Sequence, residues 1–335
     1  MEDTFSFYEQ KEQAGAVTVV NVPIELGSDA RGLAETPKYL SEHGLSRMFA
    51  TLGREVAHTV TISCPKPAMV AGAGTMKNVR EVVSVAKRAK LAVQRAAKRN
   101  ETVIALGGDH SAAIGTIAGA AASYPSLGLI YIDAHPDCTT ETTTLSGNVH
   151  GMVVSAAMGK GNEALTELFT RTIAPENILH IGLKDFDAAE IAFMREHGMR
   201  AFTMLDISRH GLSPAFSEID TLLRRVGKVW VSMDLDSIDE EYAPGVAMST
   251  PGGLTKREVL SLAHFVGASG KIAGMDIVEI QPSKDVEGKT AGLALELIAR
   301  FLGQEYSWYK EYMQQYRDIN VTSEAETVRV RRGQK

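Results

Sequence analysis

The segment LIYIDAHPD, residues 129–137, joins a short apolar run to a group of residue types that bind metals. The run Leu129 to Ile132 predicts a buried strand, because it is short, apolar and rich in β-branched and aromatic residues. Asp133, His135 and Asp137 follow it at intervals of two. In an extended chain alternate side chains point the same way, so this interval would bring the three together. The segment therefore predicts a strand that ends in a chelating group.

Two other segments repeat this arrangement. VIALGGDHS, residues 103–111, places His110 after an apolar run, and VWVSMDLD, residues 229–236, places Asp234 and Asp236 after another. The complete set of candidate metal ligands is His110, Asp133, His135, Asp137, Asp234 and Asp236. Four carboxylates and two imidazoles form an oxygen-rich set, which suits Mn²⁺ better than the thiolate and histidine sites typical of zinc.

The charges of this set indicate two ions rather than one. Four ionised Asp side chains about 4 Å apart would repel by up to ~4 kcal/mol per adjacent pair at an effective dielectric near 20. Two divalent cations would balance the four negative charges. Carboxylates that bridge the ions would hold one shared water, which would lose a proton near pH 7 and become a bridging hydroxide nucleophile. The sequence thus predicts a hydrolytic centre with two Mn²⁺ per subunit.

Strand and helix patterns alternate along the whole chain. The predicted strands are Val17 to Val22, Val56 to Ile62, Val103 to Leu106, Leu129 to Ile132, Ile178 to Ile181, Arg200 to Phe202, Val229 to Met233 and Ile272 to Val278, all interpreted as buried. The predicted helices include Lys77 to Arg99, Ser111 to Ser123, Phe186 to His197, Pro214 to Val226, Lys256 to Val266 and Thr290 to Leu302. This alternation predicts an α/β fold with a mainly parallel eight-stranded sheet covered on both faces.

Periodicity alone does not separate a closed barrel from an open three-layer αβα sheet. In both architectures the functional site lies at the carboxyl ends of the strands. The Gly107-Gly108 pair is interpreted as a place of close backbone approach rather than a phosphate-binding loop, because the Lys of such a loop is missing. No linker or internal repeat divides the chain, so we expect a single domain over residues 1–335, with 304–335 as a C-terminal tail.

Composition and charge exclude several functions. The chain has 335 residues, of which 44% are hydrophobic, enough for a sizeable core. A net charge of −6 without a basic stripe argues against nucleic-acid binding. The longest apolar stretches fall far short of the roughly 18 residues that cross a membrane. A polar N-terminus and two dispersed cysteines, Cys64 and Cys138, favour a cytoplasmic protein with reduced thiols.

At these motifs the sequence resembles the arginase (ureohydrolase) family. The segments that match are Gly107–Ser111, Asp133–Asp137, Ser146–Gly151, Ser232–Asp236 and Asp276–Pro282, and the similarity runs from about Val17 to Leu302. The resemblance implies a binuclear Mn²⁺ centre, an open αβα sheet of the arginase/deacetylase type, and hydrolysis of L-arginine to L-ornithine and urea. The segment SGNVHG, residues 146–151, has the form that separates arginases from agmatinases. The resemblance also implies a homo-oligomer, either a trimer or a hexamer.

The resemblance further implies roles for individual residues. His150 would be the proton shuttle, Asp137 would relay a proton to the leaving amine besides binding metal, and Glu279 would orient the guanidinium. The residues that would recognise the amino-acid end of the substrate are Thr139, Ser146, Asn148, Asp187 and Glu190. Without the resemblance, Asp187 and Glu190 would be interpreted as ordinary acids at a helix N-terminus, and His150 as a loop histidine.

Two positions depart from the family pattern and motivate an alternative. Thr139 replaces a usual Asn, and Met248 stands where a small polar residue is usual. The alternative is an amidinohydrolase that acts on another guanidino acid. A non-catalytic arginase-like protein and a single-zinc deacetylase are further possibilities. The complete ligand set argues against both, because four clustered Asp destabilise a metal-free fold and a single zinc would leave ligands unused.

Overall fold

Eight parallel strands form one open sheet in the computed structural model, which describes residues 15–65 and 76–304. The strands are β1 Val17–Val22, β2 Val56–Thr61, β3 Thr102–Gly107, β4 Leu127–Ile132, β5 Ile178–Leu183, β6 Arg200–Thr203, β7 Lys228–Asp234 and β8 Ile272–Val278. Their order across the sheet is β2-β1-β3-β8-β7-β4-β5-β6, and each neighbouring pair is parallel. Because β2 and β6 lie at opposite edges, the sheet is not a closed barrel.

The helices cover the two faces of this sheet. They are α1 Thr36–Glu42, α2 Leu45–Thr51, α3 Val79–Lys98, α4 Ala112–Ser123, α5 Val153–Ala157, α6 Glu163–Thr166, α7 Ala188–Glu196, α8 Met204–His210, α9 Ser213–Arg225, α10 Lys256–Ala268 and α11 Lys289–Phe301. Buried residues of α3, α4 and α5 belong to one apolar cluster, whereas those of α1, α2, α9, α10 and α11 belong to another. The predicted three-layer αβα architecture is therefore confirmed.

Successive side chains of the central strands point to opposite faces of the sheet and therefore belong to different apolar clusters. In β3, Val103 and Ala105 pack with the α3 side, and Ile104 and Leu106 pack with the other. Such two-sided burial explains why the strands appear in the sequence as continuous apolar runs. All of the predicted strands and helices are present, with ends that differ by no more than two residues.

The expectation that every strand is buried was wrong for two of them. β2 and β6 consist of exposed and half-buried residues, because each lies at an edge of the sheet and has only one neighbouring strand among the described residues. The short helices α1, α2, α5, α6 and α8 were not among the predicted elements. Elements of four to seven residues show too few turns for a helical period to be recognised.

The loop that follows β1 lies tightly against the loop that follows β3. The amide of Gly108 donates to Val22, the amide of Asp109 donates to Ile24, and a Cβ on Gly108 would lie 1.8 Å from the carbonyl oxygen of Ile24. The close backbone approach predicted for this glycine is confirmed. As a result the chain around Gly27 lies at the carboxyl end of the central strands.

Some predictions concern parts of the chain that lie outside the described residues. These parts are the polar N-terminal residues 1–13 and the C-terminal tail from residue 305 onward. Within the described ranges, no helix combines the length and the apolar character needed to cross a membrane.

Candidate metal centre and active site

His110 lies at the centre of a group of three carboxylates. Its Nδ1 is 3.0 Å from Oδ2 of Asp133, 3.1 Å from Oδ2 of Asp137 and 3.2 Å from Oδ2 of Asp234. These side chains come from the carboxyl ends of β3, β4 and β7, which are central in the sheet. Their convergence on one point is the outcome expected from parallel strand ends.

His135 forms a second group that shares Asp133 with the first. Its Nδ1 is 3.2 Å from Oδ2 of Asp236 and 3.5 Å from Oδ1 of Asp133. The ligand atoms of His110, Asp133 and Asp137 lie within 4.8 Å of one another, as do those of Asp133, His135 and Asp236. All six predicted ligand residues thus meet in two overlapping groups.

The donor atoms have the arrangement that metal ions require. Neighbouring ligands of an octahedral ion with bonds of about 2.1 Å lie about 3 Å apart, which is the separation seen around His110. A single imidazole N–H does not satisfy three carboxylates, and Oδ2 of Asp133, although close to Nδ1 of His110, is buried and makes no well-formed hydrogen bond with the described residues. Burial and neighbouring carboxylates raise the pKa of Asp133 and of Asp234. These side chains therefore fit a pair of divalent cations.

The local backbone brings the ligands together in a different way from the one expected. β4 ends at Ile132, and Asp137 has a left-handed φ of 48°, so residues 133–137 do not continue as an extended chain. Asp236 lies in a 3₁₀ turn, Leu235–Ser237. The expected extended geometry was wrong, because bends after each strand end turn the later ligand back toward the first. Left-handed non-glycine residues of this kind concentrate at functional sites.

A chain of buried hydrogen bonds holds His110 from the side opposite the carboxylates. Its Nε2 lies 2.9 Å from Oγ of Ser232, which donates to Oδ1 of Asp276 over 2.6 Å. The other oxygen of Asp276 accepts from Trp230 at 2.6 Å and Thr116 at 3.0 Å. This chain fixes the ring orientation of His110, as outer partners of metal-binding histidines do.

Tyr131 supports the same group from within the core. Its hydroxyl donates to Oδ2 of Asp137 over 2.7 Å, and its ring stacks on His110 with the centroids 4.9 Å apart and the planes at 4°. The ring of His180 packs against the ring of Tyr131, and His180 is also 3.1 Å from the carbonyl oxygen of Pro136. Tyr131 and His180 are fully buried, so this support is shielded from water.

His150 and Glu279 form a hydrogen-bonded pair beside the metal ligands. Nδ1 of His150 is 3.1 Å from Oε1 of Glu279, and the same oxygen accepts the backbone N–H of His110 at 2.8 Å. Glu279 is 4% exposed and has a left-handed φ of 63°. Burial lowers the pKa of His150, but the hydrogen bond to Glu279 and nearby negative charges outweigh it and raise the pKa to about 9. His150 is therefore a cation near neutral pH.

A cleft of about 300 Å³ opens onto these groups. Its described lining includes all five residues predicted to recognise the amino-acid end of the substrate, namely Thr139, Ser146, Asn148, Asp187 and Glu190. It also includes Met248, of which 49% is exposed. The structure thus brings these five positions together at one opening.

Several of these residues also have structural partners. Asp187 caps α7 by accepting from the amides of Ala189 and Glu190, and Glu190 accepts from the amide of Asp187, so the two form a capping box. Burial and the charge of Asp137 raise the pKa of Glu190 to about 7. The hydroxyl of Thr139 donates to the carbonyl oxygen of Gly151 over 2.7 Å. The hydroxyl oxygen still has acceptor capacity toward the cleft.

Sequence reasoning missed Asp109 and the residues that support the ligands. Asp109 is completely buried and accepts the amides of Gly27 and Ser111, each at 2.8 Å. Burial and the charge of Glu279 raise its pKa to about 6. A Cβ on Gly27 would lie 2.5 Å from Ser111, so only glycine fits there. The sequence did offer a sign of this residue, because Asp109 is an acid next to His110 and no role had been assigned to it.

An open parallel sheet with two overlapping carboxylate–imidazole groups in a cleft is the arrangement of an αβα enzyme whose site could hold metal ions. Comparisons with known proteins specify the family. The arginase from Bacillus caldovelox is 33% identical over 294 residues, which cover 86% of this chain and 98% of the relative. The arginase from Bacillus subtilis (strain 168) is 32% identical over 291 residues, with 86% and 98% covered.

Solved structures agree with the sequence comparison. The native Bacillus caldovelox arginase structure has a TM-score of 0.84 and covers 88% of this chain and 100% of that one. The Entamoeba histolytica arginase in complex with L-ornithine has a TM-score of 0.81 at 29% identity, with 88% and 100% covered. The model of the arginase family matches residues 15–303. The chain belongs to the arginase family, and it is an amidinohydrolase that acts on C–N bonds.

Proposed function

We propose that this enzyme hydrolyses the guanidinium group of L-arginine to L-ornithine and urea, with two Mn²⁺ per subunit. The single observation that supports this most directly is the meeting of six metal-ligand side chains with the His150–Glu279 pair in one cleft. The relatives named as arginases, which match over most of their length, support the same substrate.

Two groups of side chains would hold the ions. His110, Asp137 and Asp234 would hold one ion and His135 and Asp236 the other, with Asp133 contributing to both. An oxygen-rich set of this kind suits Mn²⁺. When bound, the ions lower the pKa of coordinated water, so that a nucleophile forms near neutral pH.

Glu279 would orient the guanidinium. Its two described side-chain hydrogen bonds, with His110 and His150, both use Oε1, so Oε2 is available to a guanidinium N–H. A buried carboxylate pairs strongly with a planar guanidinium, and the pairing fixes its orientation. Because the guanidinium carbon is a weak electrophile, this fixed orientation is an essential part of the rate enhancement.

His150 would supply the further proton that turns the released amine into an ammonium group. It is a cation near neutral pH, its side chain is 22% exposed, and it lines the cleft. These properties let it accept protons from solvent and deliver them to the site. Asp137 would relay the proton from the nucleophile to the departing nitrogen.

The amino-acid end of L-arginine would lie among Thr139, Ser146, Asn148, Asp187 and Glu190. Hydroxyl and amide groups among these residues would bind the α-carboxylate, and the two acids would attract the α-ammonium group. Both acids are held in place by the α7 capping box, so their positions are set before substrate arrives.

A urea assay with manganese-loaded protein tests the proposal. L-Arginine should be turned over faster than agmatine, guanidinobutyrate or hydroxyarginine. Asp137→Ala should lose nearly all activity, whereas Asp220→Ala on the surface of α9 should retain it. A rate with L-arginine no higher than with the other compounds would refute the assigned substrate.

A second substrate class is favoured by two observations at the cleft. Met248 exposes an apolar side chain there, and the hydroxyl proton of Thr139 already goes to Gly151. Both features reduce the polar groups available to a free amino acid. In this case another guanidino acid would give the highest kcat/KM in the same assay.

A further inference from the structure

Lys77, Asp29 and Asn148 form a connected group at the edge of the cleft, which we call the Lys77 clamp. Nζ of Lys77 is 2.8 Å and 3.0 Å from the two carboxylate oxygens of Asp29. Nδ2 of Asn148 donates to Oδ2 of the same Asp29 over 3.2 Å. The backbone N–H of Lys77 donates to the carbonyl oxygen of Gly147 over 2.8 Å, which closes the group into a ring.

This ring joins three segments that are distant in sequence. Lys77 precedes α3, Asp29 lies in the loop after β1, and Gly147 and Asn148 lie in the loop that also contains His150. The amide of His150 donates to the carbonyl oxygen of Gly27, so the loops meet again two residues before Asp29. The position of the loop over the cleft thus depends on contacts with residues that do not line the cleft themselves.

We propose that Lys77 and Asp29 are positioning residues that fix the orientation of the Asn148 amide toward the substrate. A side-chain amide can turn over and exchange its donor and acceptor ends. An ionised carboxylate only accepts hydrogen bonds, so Asp29 takes one N–H of Nδ2 and leaves the second N–H of Nδ2 as a donor for the substrate. The hydrogen bonds from Lys77 and Asn148 hold the pKa of Asp29 below its usual value, so it stays ionised.

Lys77 also neutralises a charge near the binding site. None of the described residues lining the cleft is Lys or Arg, so the acid end of the substrate depends on neutral donors such as Asn148. Asp29 without Lys77 would add an uncompensated negative charge next to that donor. This charge would repel a carboxylate while leaving the reacting guanidinium unaffected.

The inference rests on the proposed function and deepens it, because it assigns specificity for the amino-acid end to two residues outside the cleft lining. It predicts a change in KM for L-arginine rather than in kcat. Loss of Lys77 or Asp29 removes one oriented hydrogen bond, which corresponds to a KM that is about threefold to tenfold higher.

The test compares Lys77→Met, Asp29→Asn and the double variant with wild type in a manganese-loaded urea assay. Lys87→Met is the matched control, because Lys87 is exposed on α3. We expect a higher KM and a higher inhibition constant for L-ornithine in both single variants, with kcat within about twofold. Since the two residues act as one unit, the double variant should be no worse than the poorer single variant.

The outcomes separate the clamp from the proposed function. If wild type releases no urea from L-arginine, the proposed function fails and the clamp fails with it. If wild type is active, three results would overturn the clamp alone: an unchanged KM, KM effects that multiply in the double variant, or a fall in kcat at constant KM. Should Lys77→Met fail to fold by circular dichroism, Asp29→Asn gives the same comparison of KM with kcat.

Discussion

Replacing Tyr131 by Phe tests whether the buried phenol supports the metal centre. The change removes only the hydroxyl that donates to Asp137 over 2.7 Å, and it preserves the ring that stacks on His110. A hydrogen bond to a charged group contributes about 1.5–3 kcal/mol. The phenol holds Asp137 in the orientation that it needs as a ligand, so we expect removal of the hydroxyl to cost about half of this contribution in Mn²⁺ binding. Loss of about 0.75–1.5 kcal/mol corresponds to Mn²⁺ binding that is about threefold to tenfold weaker.

Competition with a fluorescent chelator measures this affinity without relying on catalysis. Tyr124→Phe is the matched control, because the Tyr124 hydroxyl makes no hydrogen bond with the described residues. Thermal unfolding in EDTA checks that both variants fold. A Mn²⁺ dissociation constant for Tyr131→Phe within about twofold of wild type would refute the reasoning that this hydroxyl helps to hold Asp137 as a ligand.

Three further predictions concern protonation, capping and packing. Because its pKa is raised to about 9, His150 is protonated below that pH, and kcat should fall as the pH rises through about 9. In a pH profile of kcat, His150→Asn should abolish this fall. Asp187→Ala should lower the free energy of unfolding by about 1 kcal/mol through loss of the α7 cap, and Asp187→Asn should restore most of it in urea denaturation. Gly108→Ala should lower the free energy of unfolding by about 3 kcal/mol or more, since its Cβ would lie 1.8 Å from the carbonyl oxygen of Ile24. Gly292→Ala in α11, where a Cβ meets nothing within 4 Å, should leave the stability unchanged or raise it. Circular dichroism melts measure both variants.

The sequence was informative about the fold because the central strands are buried on both faces. Val103 to Leu106 and Val229 to Met233 appear as continuous apolar runs, and both lie in the sheet where they were expected. The open sheet could not be separated from a barrel, because closure depends on whether β2 and β6 pair. That pairing is a long-range contact with no local pattern.

The convergence of the six candidate ligands was predictable, because each follows a strand at the same edge of the sheet. Their local conformation was not, since the left-handed φ of Asp137 and of Glu279 is imposed by surrounding contacts rather than by residue type. The supporting groups were also missed. Tyr131 appeared in the sequence only as an apolar strand residue, and the partners of Asp29 are 48 and 119 positions away along the chain.

Some properties stay predictions. They include the identity and number of the metal ions, the roles assigned to individual residues, the single-domain organisation with its C-terminal tail, the trimeric or hexameric state, and the cytoplasmic location.

The shared position of Asp133 between the two ligand groups links catalysis to the integrity of the fold. The ligands come from three strand ends that are contiguous only when β3, β8, β7 and β4 are all in place. Cations that bind only this assembled state stabilise it by mass action, by about 4.1 kcal/mol when the free ion is at 1,000 times its dissociation constant. Manganese supply would then govern how long the protein persists as well as how fast it turns over, and chelation would expose it to unfolding.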